Sequence, residues 1–331
     1  MVSDSGNAMG PTWRTTHDRF NCLTDDGAGR PLRVMPDALR PLPPLLLLGT
    51  IWGATPGFVK YLGGIGWPPF LIATCAGAGS AVILILLCRM RGLALPLSRA
   101  HLRHYVVSGL TGLAAANLVG FTALQHIPAG FFSLLVPLSP MLTVLGAAML
   151  GMERVTPRRI LGTLLGLSGV LLAMAPGAAL PDPAMLPWAF LAALTPVCYA
   201  ASNLMAVKLA PRDTPPLVLA AGTLSAGAVG LAIVAAASGH MHAVPLSGVP
   251  VSALQAAATA GAFMLYFRSL GAHGGVVTSQ AGYVITITGL AWGWVLFGER
   301  PGWLTIPAAL LVFAGLALVT LPGRRLTRSG A

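Results

Sequence analysis

Residues 151–155 read GMERV and residues 297–301 read FGERP, and each stretch lies between two long apolar runs. They hold the only two glutamates of the chain, Glu153 and Glu299, each followed by an arginine. The 146 residues between them set the register of a repeat. At that shift, 121–176 aligns with 267–322 without a gap. Phe121 meets Phe267, Leu124 meets Leu270, Ser133 meets Ser279, and Leu150 meets Leu296. Beyond the Glu-Arg pairs, Ile160 meets Ile306, Leu164-Leu165 meets Leu310-Leu311, Gly169 meets Gly315 and Pro176 meets Pro322. Apolar identities come cheaply in so apolar a chain; the ungapped length and the Glu-Arg coincidence do not. Upstream, Val59-Lys60 parallels Val207-Lys208 at a shift of 148.

Hydrophobic residues make up 55% of the 331 and charged residues 9%, against about 25% charged in soluble domains. Lipid is the solvent such a chain fits. The net charge of +11 does not point to nucleic acid, because the basic residues sit in short clusters between apolar runs instead of along one polar face. Cys22, Cys75, Cys88 and Cys198 have neither CxxC spacing nor histidine partners, so no disulfide framework or zinc site is expected. Eighteen Arg against two Lys fits a GC-rich bacterial genome. Residues 1–40 are polar, with five Arg, five Asp and no apolar run. They read as a disordered cytoplasmic tail, and translation from Met1 or from Met35 stays open.

Ten apolar runs follow, near 42–62, 67–90, 104–125, 129–150, 157–175, 185–207, 215–238, 250–270, 275–297 and 303–321. Each approaches the ~20 residues that a membrane helix needs. None alternates with period two, which argues against a barrel. Thr156-Pro157 and Thr214-Pro215 read as N-cap followed by first helical residue. With the N-terminus inside, 18 of the 20 Lys and Arg fall on the cytoplasmic side and only Lys60 and Arg300 outside. That asymmetry is the positive-inside rule, and an even number of spans puts both termini in the cytoplasm.

The expected fold is therefore an all-α integral membrane protein of ten transmembrane helices. A first five-helix repeat covers 41–176 and a second covers 185–322, with a basic cytoplasmic tail at 323–331. Five is odd, so the second repeat enters the membrane upside down. Inverted repeats are a signature of secondary transporters, whose halves rock around a midplane site.

The residues also carry a resemblance. Helix 1 reads GTIWGATPGFVK, and residues 117–174 read NLVGFTALQHIPAGFFSLLVPLSPMLTVLGAAMLGMERVTPRRILGTLLGLSGVLLAM. This resembles the EamA-type branch of the drug/metabolite transporter superfamily: a proline in helix 4, a glutamate at its end, then a glycine-bearing helix 5. The resemblance covers roughly 40–322. It implies a transporter of small metabolites, and export over import rests on it alone. One departure is in helix 2, where the family often carries an arginine; PPFLIATCAG has Thr74 and Cys75 there.

Two readings of Glu153-Arg154 and Glu299-Arg300 stand side by side: gating or coupling ion pairs, or helix-end electrostatics in which the next helix N-terminus favours the carboxylate. Pro137 and Pro140 in VPLSP bend helix 4, either as part of a broken helix lining a cavity or as a static kink. The aligned 283–286 has no proline, so helix 9 is expected to be straighter. Polar residues in lipid are expensive and should face the bundle or water. The mid-span set is Trp52, Thr55, Asn117, Ser139, Tyr199, Asn203, Thr259, Gln280, Tyr283 and Thr286, with two readings: a substrate pathway or interhelical hydrogen bonding. Tyr199 and Asn203 share a helix face. His126, His240, His242 and His273 fall in expected connections and lack spaced ligand partners, so no metal site is expected. No cofactor is implied either, since no GxGxxG, P-loop or nucleophile elbow occurs in a suitable context. No Asp or Glu lies deep in a span, which favours neutral or zwitterionic solutes.

The sequence thus reads as a bacterial inner-membrane carrier that exports amino acid-like or xenobiotic solutes by alternating access. Its partners are a small-molecule substrate and the lipid bilayer, not nucleic acid, with a homodimer left open. An uptake permease or uncoupled facilitator is the alternative within transport. An integral-membrane enzyme on lipid-linked substrates would need clustered acids, histidines or a metal set at one interface, and the sequence offers none.

Overall fold

The computed structural model describes residues 42–152, 156–175, 178–211, 213–237, 244–278 and 280–320. Glu153, Arg154, His240, His242, Cys22, Met35 and both tails lie outside them.

Ten helical segments occur among the described residues. They are α1 Leu42–Gly64, α2 Pro69–Met90, α3 Arg99–Leu124, α4 Ala129–Met149, α5 Pro157–Ala173, α6 Leu186–Leu209, α7 Pro216–Ala237, α8 Val249–Thr278, α9 Ala281–Phe297 and α10 Thr305–Thr320. Seven helices are long and apolar enough to cross a membrane: α1 to α4 and α6 to α8, two of these counted with a short leading turn. The shorter α9 and α10 are also apolar, and α5 opens with Arg158-Arg159 and has 17 residues.

Local sequence accounts for most helix ends. Thr156 caps α5, its side chain accepting from the Arg159 amide, and Pro157 takes the first helical position where no N–H is needed. Helix 7 begins one residue later than expected, at Pro216. α3 begins at Arg99, five residues before the expected position near 104, and contains a π-helical stretch at Leu110–Ala115. The largest difference is in α8. A connection was expected before 275, but α8 stays helical to Thr278, so His273 sits in a helix backbone. The glycines of 271–275 read as a loop signal for water, whereas membrane helices accept glycine readily.

α4 is interrupted at Val136-Pro137, while α9 runs unbroken. Pro137 has no N–H, so the carbonyl four residues earlier, on Ser133, loses its helical donor. The Thr286 hydroxyl of α9 donates to that carbonyl at 3.1 Å. The break in one repeat is thus repaired by a side chain from the other.

Helix packing follows a symmetric scheme. α5 packs on α10, α2 on α7, and α4 on α9. α1 packs on α8 and α9, as α6 packs on α3 and α4; α2 packs on α8 as α7 packs on α3. Exchanging each helix for its repeat counterpart returns the same pairs. The α5–α10 contact relies on small residues: a Cβ on Gly315 would come within 2.6 Å of the Gly166 amide nitrogen, and one on Gly169 within 2.7 Å of the Ala308 carbonyl. Close backbone approach of this kind is how membrane helices gain van der Waals contact without a hydrophobic driving force.

Candidate functional site

At mid-bundle the Asn203 side chain joins three helices. Its amide nitrogen donates to the hydroxyls of Ser139 and Thr143 on α4, both at 3.4 Å. Its carbonyl oxygen accepts from the Tyr266 hydroxyl of α8 at 3.4 Å. Ser139 and Thr143 lie one turn apart on one face, just past the Pro137 break. Trp52 of α1 closes the group, 5.4 Å from the Tyr266 ring and edge-on to Phe263 at 5.9 Å. Helices from both repeats therefore meet in one polar and aromatic cluster, joined by hydrogen bonds of 3.4 Å.

The expected pathway residues divide. Trp52, Ser139 and Asn203 come together here. Tyr199 lies one turn before Asn203 on α6, half-buried, and Thr55 and Thr259 are half-buried on α1 and α8. Asn117 is buried on α3. Gln280 and Tyr283 turn to α10 instead: Gln280 donates to the Thr320 hydroxyl at 2.7 Å and Tyr283 to the Phe313 carbonyl at 3.2 Å. Thr286 is fully buried and ties α9 to Ser133. Thr143, Phe263 and Tyr266 belong to the cluster and escaped the sequence reading. The i, i+4 spacing of Ser139 and Thr143 was a usable signal for the first of them.

The second feature lies at one end of the bundle, the Glu299 face. Glu299 does not hold its neighbour Arg300, which is exposed. Its carboxylate takes the Lys60 ammonium of α1 at 2.6 Å and the amides of Ala129 and Gly130, at 2.8 and 2.9 Å, in the first turn of α4. Charge and helix geometry agree, because the first amides of a helix are unsatisfied and carry partial positive charge. Pro128, extended and without an N–H, forces the helix to start there. Gly298, at φ 61°, ends α9 in the left-handed conformation and turns the chain so that Glu299 follows at once. Gly293 leaves the room: a Cβ there would collide with the Glu299 carboxylate. The ammonium of Lys60 also sits 5.2 Å from the Phe297 ring centroid.

Other contacts tie the same face. The Gly302 amide donates to the Ala178 carbonyl at 2.9 Å. His126 stacks on Trp188 at 3.7 Å between centroids. The Trp67 indole donates to the Pro245 carbonyl at 3.1 Å. These ties span the connections after α1, α3, α5, α7 and α9. At the opposite end, the Arg99 face, a bond joins His101 to the Thr214 hydroxyl at 3.0 Å. Among the described residues, no group of three His, Cys, Asp or Glu side chains gathers to hold a metal.

Comparison with known proteins agrees with this architecture. One solved crystal structure, 23% identical, superposes with a TM-score of 0.62 over 84% of this chain and 98% of its own; it shares the fold. The protein described as "Uncharacterized transporter YyaM" of Bacillus subtilis (strain 168) is 27% identical over 230 residues, covering 68% of this chain and 73% of its own. The model of the EamA-like transporter family matches twice, at residues 44–175 and 186–321. The two matches cover most of the chain, and this membrane protein belongs to the EamA-like transporter family.

Proposed function

We propose that the chain is a ten-helix secondary transporter of two inverted five-helix repeats, which exports small neutral or zwitterionic metabolites across a bacterial inner membrane by alternating access. The observation that carries this reading is the Asn203 cluster, built from α1, α4, α6 and α8 and so from both repeats. The exchange symmetry of helix packing supports two equivalent halves. The ties gathered on the Glu299 face support an inversion: the connections after α1 and α6 must then lie at opposite ends, as the Lys60–Glu299 and His101–Thr214 bonds suggest. The distribution of Lys and Arg supports cytoplasmic termini, which makes the Glu299 face the outer one and the conformation closed outward.

In this reading a solute exchanges its own hydrogen bonds for those of Asn203 and lies against Trp52 and Tyr266. Absence of a carboxylate or free cation in the cluster favours a solute with no net charge. The test is a metabolite profile inside and outside cells with and without the gene, repeated with Asn203→Ala and Tyr266→Phe. Export predicts that deletion raises a small neutral or zwitterionic compound inside, and that Asn203→Ala reproduces at least most of that rise. A compound depleted inside on deletion would establish uptake. Normal profiles with Asn203→Ala, at normal protein levels, would remove the cluster from the pathway.

A further inference from the structure

A second polar group lies buried near the Arg99 face, and nothing in the transport scheme above uses it. His104 of α3 is 1% exposed, and neither ring nitrogen has a hydrogen-bond partner. The hydroxyls of Tyr105, Ser108 and Thr223 are buried and unpartnered as well. Of the nine such buried side-chain atoms among the described residues, five belong to these four residues. Three of them fall within five residues of α3, and the fourth lies on α7, which meets this part of α3. His104 and Ser108 are one turn apart on α3, the Tyr105 ring stands edge-on to His104 at 6.1 Å, and Thr223 comes from α7. The helices are pressed together here: a Cβ on Gly222 would collide with the Tyr105 ring, and one on Gly109 with the Thr223 carbonyl. One turn further along, α3 widens into its π-helical stretch at Leu110–Ala115, a distortion frequent at functional sites.

Folded proteins satisfy nearly all buried polar groups, so a cluster of orphans asks for a ligand. The chemistry of this cluster selects a proton. Histidine is the side chain whose charge changes between pH 5 and 8. Hydroxyls rotate, so each can accept from an imidazolium N–H or donate to a neutral ring nitrogen. A metal would require further ligands, and no suitable group of three is present among the described residues. The surroundings are also short of charge. α7 carries no titratable or charged residue; α2 brings Cys75, Cys88 and Arg89; α6 brings Cys198, Tyr199 and Lys208; α3 itself brings His101, Tyr105 and the exposed Arg99 and Arg103. None of these is a carboxylate, and the one on the connection before α7, Asp213 next to Thr214, is exposed, so a charged ring sealed in the bundle would have no buried counter-ion.

We propose that His104 is the proton-binding site of this transporter. When α3 parts from α7, the imidazole takes one proton from water at the Arg99 face, on Nδ1 or Nε2. It returns that proton before the contact can close again. Acid at the Arg99 face therefore favours the parted state. The idea rests on alternating access, but its test reads the Arg99 face alone, whereas closure of the Glu299 face is read by labelling near Lys60; the two can fail separately.

The test uses full-length protein in lipid nanodiscs, with spin labels at Leu102→Cys on α3 and Val229→Cys on α7, both exposed, in a background without the native cysteines. Between pH 8 and 5 the interlabel distribution should gain a longer component, with at least a tenfold rise in the ratio of long to short distances. Its midpoint should coincide with the titration of the His104 ring followed by imidazole NMR. His104→Gln should abolish the shift. A shift that persists in His104→Gln, or a parent distribution that ignores pH, overturns the proposal. Should His104→Gln fail to fold, His104→Asn and the ring titration in the parent decide: a ring that stays neutral to pH 5 overturns it equally.

Discussion

On the alternating access proposed above, replacing Glu299 by glutamine tests what holds the Glu299 face shut. The carboxylate receives three donors, at 2.6, 2.8 and 2.9 Å, from Lys60, Ala129 and Gly130. Glutamine keeps one acceptor oxygen, which at the Oε1 position still serves Lys60 and Ala129 but without the charge, while its N–H group faces the Gly130 donor, so one contact is lost and two are weakened. A hydrogen bond to a charged group contributes about 1.5–3 kcal/mol. The side chains are 28% and 13% exposed, so solvent recovers part of the loss, and the break is milder than the 3–5 kcal/mol of a fully buried pair. The net cost to the closed state is then ~2–4 kcal/mol, roughly a 30- to 1,000-fold rise in the open-to-closed ratio.

The assay is labelling of Thr55→Cys by a membrane-impermeant maleimide added to intact cells, with the native cysteines replaced. Thr55 lies five residues before Lys60 on α1, about 7.5 Å further into the bundle. Labelling should be slow in the parent and at least tenfold faster in Glu299→Gln. Lys60→Met should do nearly the same, and the double variant should add little, because both remove one interaction. Glu299→Asp should fall between. A Glu299→Gln rate within twofold of the parent, in protein that inserts and elutes normally, would refute the latch.

Three further outcomes follow from the geometry. Arg300→Ala should leave the same labelling rate unchanged, since the side chain is exposed and Glu299 does not hold it. Gly315→Leu should lower the thermal midpoint in detergent sharply, because overpacking costs about 1–3 kcal/mol or more and the side chain would press on the Gly166 backbone. Thr286→Val should cost about 1–3 kcal/mol by stranding the Ser133 carbonyl. In a Pro137→Ala background, where residue 137 regains its N–H, the same change should be much milder; equal losses in both backgrounds would contradict the repair.

Much of the fold was legible in the sequence because lipid imposes so strong a rule. Every backbone group must be satisfied internally, so apolar runs of sufficient length become helices. Thr156-Pro157 marked its helix start for the same local reasons that operate in water. The α8–α9 junction was misplaced because glycine signals a turn chiefly where water can take up the backbone groups. The site was legible only in part. Asn203 and Ser139 stood out as polar residues in lipid, but pairing across helices is not periodic, so Gln280 and Tyr283 could not be told apart from them. Their direction toward α10 depends on tertiary packing. Lys60 entered the sequence reading only as a counted charge and a repeat match, and its pairing could not be read because the partner lies 239 residues away. His104 hid among the basic residues of a helix start, and only its burial without a hydrogen-bond partner distinguishes it.

The repeat that Glu153 and Glu299 measure does not reproduce in its second half the helix start that Glu299 holds. Glu299 acts on a helix start that Pro128 creates. At the shift of 146, Pro128 corresponds to Gly274, and Ala129-Gly130 to Gly275-Val276. Glycine neither removes an N–H nor forbids the helical conformation of the residue before it. The backbone of 274–276 accordingly remains inside α8, where its amides serve helical carbonyls and offer no free N-terminus to a carboxylate. Pro137 likewise corresponds to Tyr283, and α9 is unbroken where α4 is broken. A few prolines thus make two homologous halves unequal. Alternating access requires each half to reach both conformations, but not with equal ease. The half whose bends are fixed by proline is the one that the Glu299–Lys60 contact grips, so under the alternating access proposed above the energy separating the two states falls largely on the Glu299 face. That is why a single carboxylate there is expected to shift the balance of the whole bundle.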